Sequence, residues 1–266
     1  MEIRLLGPVQ GWRNGARIDL GPRQQRHVLA ALALEVNKVV NVDRLVDLVW
    51  FGAPPRTAWQ AVRVYVCRLR RALGEDAPLV TEGDGYVLLA DPLRVDAHRF
   101  RALVRQARAS IDDAGKVRLY RRALALWHGP ALADLTSAGA QRLVCGLHEH
   151  RLAATEECLD AELRLGRHLA VLGELTDLVA QHPNQQRFVG QLMIALYRCG
   201  RHPDSLEVYR AAKSMLATEY GLDPEPRLRE LELAVLRTDP GLDGPARPRA
   251  AAGGQVQRLE EAAAGR

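Results

Sequence analysis

The sequence predicts an α+β winged helix-turn-helix followed by an all-α domain of tetratricopeptide-like helical repeats. Three observations carry this. An arginine-rich amphipathic segment lies between a short helix and a glycine-tipped hairpin, all within residues 1–95. The stretch after it shows helical periodicity without strand patterns. Within that stretch Gly166 and Gly200 stand 34 residues apart, which is the tetratricopeptide period.

In chain order, Ile3–Trp12 reads as one short strand. Asn14-Gly15 reads as a hairpin turn, because both positions tolerate positive φ, and Ala16–Leu20 pairs back. Arg23–Glu35 has Val28, Leu29, Leu32 and then Val36 at helical spacing. Asn41 reads as an N-cap, with Asp43 in the first turn ahead of Leu45, Val46, Leu48 and Val49. Phe51–Arg56 contains one glycine and two prolines and must be a loop. Thr57-x-x-Gln60 has capping-box form and opens a helix that Gly74 closes. Val62, Val66, Leu69 and Leu73 share one side of it, and Gln60, Arg63, Val64, Cys67, Arg68 and Arg71 the other. Leu79–Leu89 is a hairpin with Gly83-Asp84-Gly85 at its tip, in the position of a wing.

From 96 to 240 the expectation is helical. Asp96 reads as the cap of a helix containing Phe100, Leu103, Val104 and Ala107. Leu152–Leu165 pairs with Leu169–Gln181, closed by His182-Pro183, and Phe188–Cys199 pairs with Asp204–Leu216. Pro183 follows Gly166 by 17 residues, as the repeat requires. A looser unit centres on Gly115, with Tyr120, Leu124 and Trp127 behind it. Such helix pairs cannot bury their apolar faces singly and must share a core. Residues 241–266, rich in Gly, Pro, Ala and Arg, are expected to be a disordered tail, with at most a frayed helix over Val256–Ala264.

Composition bounds the function. Of 266 residues, 47% are hydrophobic and 26% charged, which excludes a wholly disordered or collagen-like chain. The longest apolar run, Val28–Leu34, is far too short to span a bilayer. The first residues lack an apolar signal core, so export is not expected. Cys67, Cys145, Cys158 and Cys199 are widely spaced, neither a disulfide framework nor a zinc site. They read as small core residues in a reducing cytosol. Net charge is +5 and the pI about 9.3, but coding bias in a GC-rich genome explains most of the arginine excess, since only Lys38, Lys116 and Lys213 are lysines. The distribution is what matters: Arg56–Arg71 holds five arginines (56, 63, 68, 70, 71) and no acid.

Catalysis finds no support. Neither Gly-x-x-x-x-Gly-Lys-[Ser/Thr] nor Gly-x-Gly-x-x-Gly occurs. His148 and His150, two apart on a helix, point to nearly opposite sides and read as solvated rather than as a metal pair. No cofactor and no metal are expected. Trp12, Trp50, Trp59 and Trp127 read mostly as core, with Trp50 also able to reach a phosphate through its indole N–H. A solvated amphipathic helix is the bland reading of residues 57–73, with a protein-interaction scaffold as the corresponding function. An RNA-binding adaptor lacks the stacking aromatics it needs. The order helix, turn, basic helix, wing favours double-stranded DNA.

The stretch Val64-Tyr-Val-Cys-Arg-Leu-Arg-Arg-Ala-Leu73 followed by Gly83-Asp-Gly-Tyr86 resembles an OmpR-type winged helix. Val95–Phe100, Ala123–Ala133, Gln191–Arg201 and Tyr220–Pro224 resemble a bacterial transcriptional activator domain. The pair in this order is similar to the Streptomyces antibiotic regulatory protein family over about residues 1–240. The resemblance implies a cytoplasmic, nucleoid-associated activator of specialised-metabolite genes that binds direct repeats near the −35 element as a homodimer and recruits RNA polymerase, sigma factor included. Position on the outer helix face puts Arg63, Val64 and Arg68 at base edges. Trp50, Arg56, Thr57, Gln60, Arg70, Arg71 and Thr81 are expected at phosphates. Phe51, Gly52, Ala53, Pro54 and Pro55 resemble the polymerase-contacting loop of the winged-helix relatives. Three features depart from the family pattern: Val87 replaces a basic wing residue, Gln60 replaces an arginine, and Asn184-Gln185-Gln186 replaces Leu-Arg-Glu. No receiver domain precedes the winged helix, so phosphoaspartate control is not expected.

Overall fold

The computed structural model describes residues 1–244. They form two compact units, one from Met1 to Ala161 and one beginning at Glu162. The tail and frayed helix expected beyond residue 244 lie outside the described residues, while Pro240–Leu242 forms a 3-10 turn.

The first unit opens with an antiparallel sheet of β1 (Glu2–Arg4), β2 (Gln10–Arg13) and β3 (Ala16–Ile18), in that order. The single strand expected over Ile3–Trp12 is two strands. The reason is distant in sequence: Leu5 and Leu6 donate their amide N–H groups to the Asp96 carboxylate, at 2.8 and 3.0 Å, instead of to a neighbouring strand. Their carbonyls accept from Leu132 and His128, so this bend is fully paired. Asn14 and Gly15 both take positive φ, as the hairpin requires.

Helices α1 (Arg23–Leu34), α2 (Val42–Trp50) and α3 (Ala58–Leu73) follow, and β4 (Val40–Asn41), β6 (Gly85–Leu88) and β5 (Leu79–Glu82) make a second antiparallel sheet in the order β4-β6-β5. The core comes from Val28, Leu29 and Leu32 of α1, Leu45 of α2, Val62, Val66, Leu69 and Leu73 of α3, and Leu88 of β6. The caps are less complete than expected. Neither Asn41 nor Thr57 makes a side-chain cap bond, so the capping box does not form.

Helices α4 (Asp96–Ala109), α5 (Asp113–Leu124) and the first part of α6 (Ala138–Arg164) complete this unit. Asp96 does not cap α4. It lies inside the helix and faces the N-terminal sheet. Gly115 is the third residue of α5, its N–H bonded by the N-cap Asp112, and not a turn between helices. Phe100 meets Trp127 edge to face at 5.5 Å. Asp134 accepts from Val9 N at 2.8 Å and from Arg26 Nε at 2.6 Å. Residue 95 therefore marks a change from mixed to helical structure without a gap in packing. α6 begins well before the expected Leu152, and the spacing of its buried Ala140, Leu147, Ala154 and Cys158 carries the signal.

In the second unit α7 (His168–Gln181), α8 (Gln186–Arg198), α9 (His202–Tyr220) and α10 (Pro226–Leu236) follow the end of α6. The 34-residue period holds at the level of single bonds. Gly166 and Gly200 have φ of 72° and 75°. The next amides, Arg167 and Arg201, both reach back five residues, to the carbonyls of Glu162 and Leu196, at 3.0 Å each. Both ends are Schellman-type stops that need a left-handed residue. The core of this unit joins Val189, Met193, Tyr197, Tyr209, Ala212, Leu228 and Val235. A Cβ on Gly200 meets nothing within 4 Å, so Gly200→Ala isolates the backbone term. It should lower stability by about 1–2 kcal/mol, and Gly200→Asn by less, as read by urea unfolding.

Candidate nucleic-acid interface

The site is the outward face of α3. Its buried line is Ala58, Val62, Val66, Leu69 and Leu73. At about 100° per residue, the opposite line runs through Gln60, Val64, Cys67 and Arg71, with Arg63 on one flank and Arg68 on the other. All six are exposed, Val64 at 46%. Arg63, Arg68 and Arg71 have no carboxylate partner among the described residues, so their guanidinium groups face solvent unpaired. Arg56 and Thr57 are exposed where the chain enters the helix.

Three contacts fix the helix in place. Arg70 donates Nε to Leu79 O at 2.6 Å and a terminal NH₂ to Thr81 Oγ1 at 2.7 Å, and lies over the Tyr86 ring. These bonds tie α3 to the wing, while Arg70 and Thr81 both remain exposed. Arg13 of β2 donates to the carbonyls of Ala72 and Leu73 and lies 2.8 Å from Asp76, capping the far end. Trp50 stacks on Tyr65 at 6.5 Å, and the Tyr65 hydroxyl donates to Gln24 Oε1 at 2.9 Å. Trp50 is thus half-buried, packed at the base of α3.

Two cysteines and one tryptophan are not core residues. Cys67 and Cys145 are exposed. For Cys67 the helical period already pointed outward. Trp59 is 51% exposed on the flank shared by Arg63, a position that period also allows. The wing is weakly suited to phosphate. Glu82 and Asp84 are exposed around its Gly83 turn, and Val87 is buried, so that position points away from any ligand.

The loop Phe51–Pro55 is exposed throughout. Phe51 sits in the left-handed region at φ 41°, and the Arg142 guanidinium of α6 lies 4.5 Å over its ring. Nearby, α6 meets the C-terminal part of α2 at close range. A Cβ on Gly139 would stand 1.7 Å from Leu48 O, so only glycine allows this approach.

Among the described residues, no His, Cys, Asp or Glu group could hold a metal, and no helix is long and apolar enough to cross a membrane.

A winged helix presenting an acid-free arginine face, joined to stacked helix pairs, defines a transcriptional regulator of the winged-helix and activator-domain class. Known proteins agree. Residues 15–88 match the profile described as transcriptional regulatory protein, C terminal, and residues 95–236 match the bacterial transcriptional activator domain. The chain is 37% identical over 268 residues to the regulatory protein DnrI of Streptomyces peucetius, covering 94% of this chain and 98% of that one. It is 38% identical over 249 residues to the regulatory protein AfsR of Streptomyces griseus, covering 92% of this chain but only 26% of AfsR. A solved structure of Mycobacterium tuberculosis EmbR, in complex with a low-affinity phosphopeptide, superposes with a TM-score of 0.83 at 32% identity, covering 92% of this chain and 66% of that one. The chain belongs to the Streptomyces antibiotic regulatory protein family of transcriptional regulators. It spans about a quarter of the length of the AfsR proteins.

Proposed function

We propose that the chain activates specialised-metabolite genes by sequence-specific binding to direct repeats near a −35 element, as a pair of copies that engages RNA polymerase. Residues 1–95 read DNA, and residues 96–240 form the activator part. The observation that carries this reading is the exposed α3 face with three unpaired arginines and no acid. In the major groove, Arg63, Val64 and Arg68 meet base edges, with Cys67 between them. Arg56, Thr57, Gln60 and Arg71 hold phosphates, which set register rather than sequence. Trp50, Arg70 and Thr81 add phosphate contacts beside this face, Arg70 and Thr81 while also holding α3 to the wing and Trp50 while packing against Tyr65. Phe51, Gly52, Ala53, Pro54 and Pro55 are the polymerase-facing loop.

The test separates the two kinds of contact. Arg68→Ala should reduce the ratio of specific to random DNA affinity by a factor corresponding to about 1–3 kcal/mol. Arg56→Ala should weaken both about equally and flatten the salt dependence. An unchanged ratio in Arg68→Ala refutes the base assignment. The pairing of two copies is read by the spacer between half-sites: insertion of half a helical turn should cost much more affinity than insertion of a full turn of about 10–11 bp.

A further inference from the structure

Outside the α3 face lies a charged cleft of about 520 Å³ bounded by α1, β4, α2, α4 and α6. Leu34, Leu48 and Leu143 give it an apolar floor, and Arg44, Arg101 and Arg142 line it. The one carboxylate on its rim, Glu35, is already committed to Lys38 at 3.1 Å. Among the described residues, none of the three arginines has a carboxylate partner. Arg142 uses its flat face on Phe51. Arg101 is the telling member: its Nε is buried and makes no hydrogen bond. A buried guanidinium N–H with no acceptor is costly, and native proteins rarely keep one without a reason. His98 and His150 are held below the usual imidazole range, first by burial and then by repulsion that includes the Arg101 charge.

We propose that this cleft binds a small phosphorylated ligand of nucleotide size, its phosphate on Arg101 between Arg44 and Arg142 and its remaining part on Leu34, Leu48 and Leu143. Three unpaired guanidinium groups match a multiply charged oxyanion better than a single carboxylate, and their planar forks suit phosphate oxygens. The volume lies in the range of small-ligand sites. The ligand would bridge α2, next to the DNA-reading helix, to α4 and α6.

The test is calorimetric titration of the whole chain at fixed ionic strength with AMP, ATP, inorganic phosphate and adenosine. AMP or ATP should bind at micromolar concentration and raise the unfolding temperature. Adenosine should not bind, and inorganic phosphate should bind at least about tenfold more weakly than the nucleotides, lacking the apolar contacts. Arg101→Gln should weaken nucleotide binding about tenfold or more. Arg44→Gln, on an exposed position of α2, should weaken it without a change in unfolding temperature. Arg105→Gln, an exposed arginine one turn further along α4 and outside the cleft, should leave it unchanged. No binding up to millimolar nucleotide would overturn the proposal and leave water as the partner of Arg101. So would equal losses in Arg101→Gln and Arg105→Gln, or phosphate binding as tightly as AMP.

Discussion

Asp96→Ala is expected to lower the free energy of unfolding by about 2–4 kcal/mol, because it leaves two buried amides, Leu5 and Leu6, without an acceptor. Asp96→Asn keeps one acceptor oxygen and should lose less than half as much. The pH dependence distinguishes the Asn variant from the parent protein. Burial pushes the Asp96 carboxyl up to about 6, against the pull of the Leu6 and Leu5 amides. The folded state then holds this proton more tightly than the unfolded chain, whose carboxyl titrates near 3.8. Stability from this group is therefore present at low pH and is lost as pH rises through about 4 to 6. The Asn variant lacks that titration, so its deficit against the parent protein should be largest near pH 4 and shrink by pH 7. Urea unfolding of both proteins across this range is the measurement. A deficit that grows with pH would show that the amide bonds, rather than burial, set the carboxyl.

The second large effect is at Gly139. Gly139→Ala places a methyl 1.7 Å from Leu48 O, a backbone atom that cannot swing aside. The start of α6 must then move away from α2, at a cost of about 1–3 kcal/mol for overpacking. Because Arg142 follows by one turn and covers Phe51, that shift should also free the Phe51 ring. Limited proteolysis between Phe51 and Arg56 should become faster in the variant, while Gly146→Ala, open to solvent on the same helix, leaves it unchanged. Unaltered cleavage in Gly139→Ala would mean that the loop holds its shape without α6.

Local chemistry explains what could be read directly. The apolar line of α3, the Asn14-Gly15 turn and the Gly166/Gly200 period each depend on residues within a few positions, and each is found where the pattern puts it. The misreadings share a different origin. Ile3–Trp12 fails as one strand because Asp96, some 90 residues on, takes two of its amides. Gly115 resembles a repeat glycine in sequence, but Asp112 turns it into the first turn of a helix. The bond from Arg70 to the wing carbonyl of Leu79, at 2.6 Å, is likewise marked by nothing near it in sequence. Trp59 and Cys67 show the opposite error: residue type argued for the core, while helical position argued for solvent, and position prevailed. Nothing local in the sequence marks the cleft at Arg101 either, since its arginines come from three separate helices.

The bonds that hold the first strands also set a schedule for the nascent chain. Leu5 waits for Asp96, 91 residues later, and Val9 for Asp134, 125 residues later. At a synthesis rate of about 5–20 residues per second, Val9 is made roughly 6–25 seconds before its acceptor. During that interval the amide N–H groups of Leu5, Leu6 and Val9 lack the carboxylate acceptors they have in the finished fold. The leading strands of this regulator are thus closed off by contacts whose acceptors are made late in synthesis.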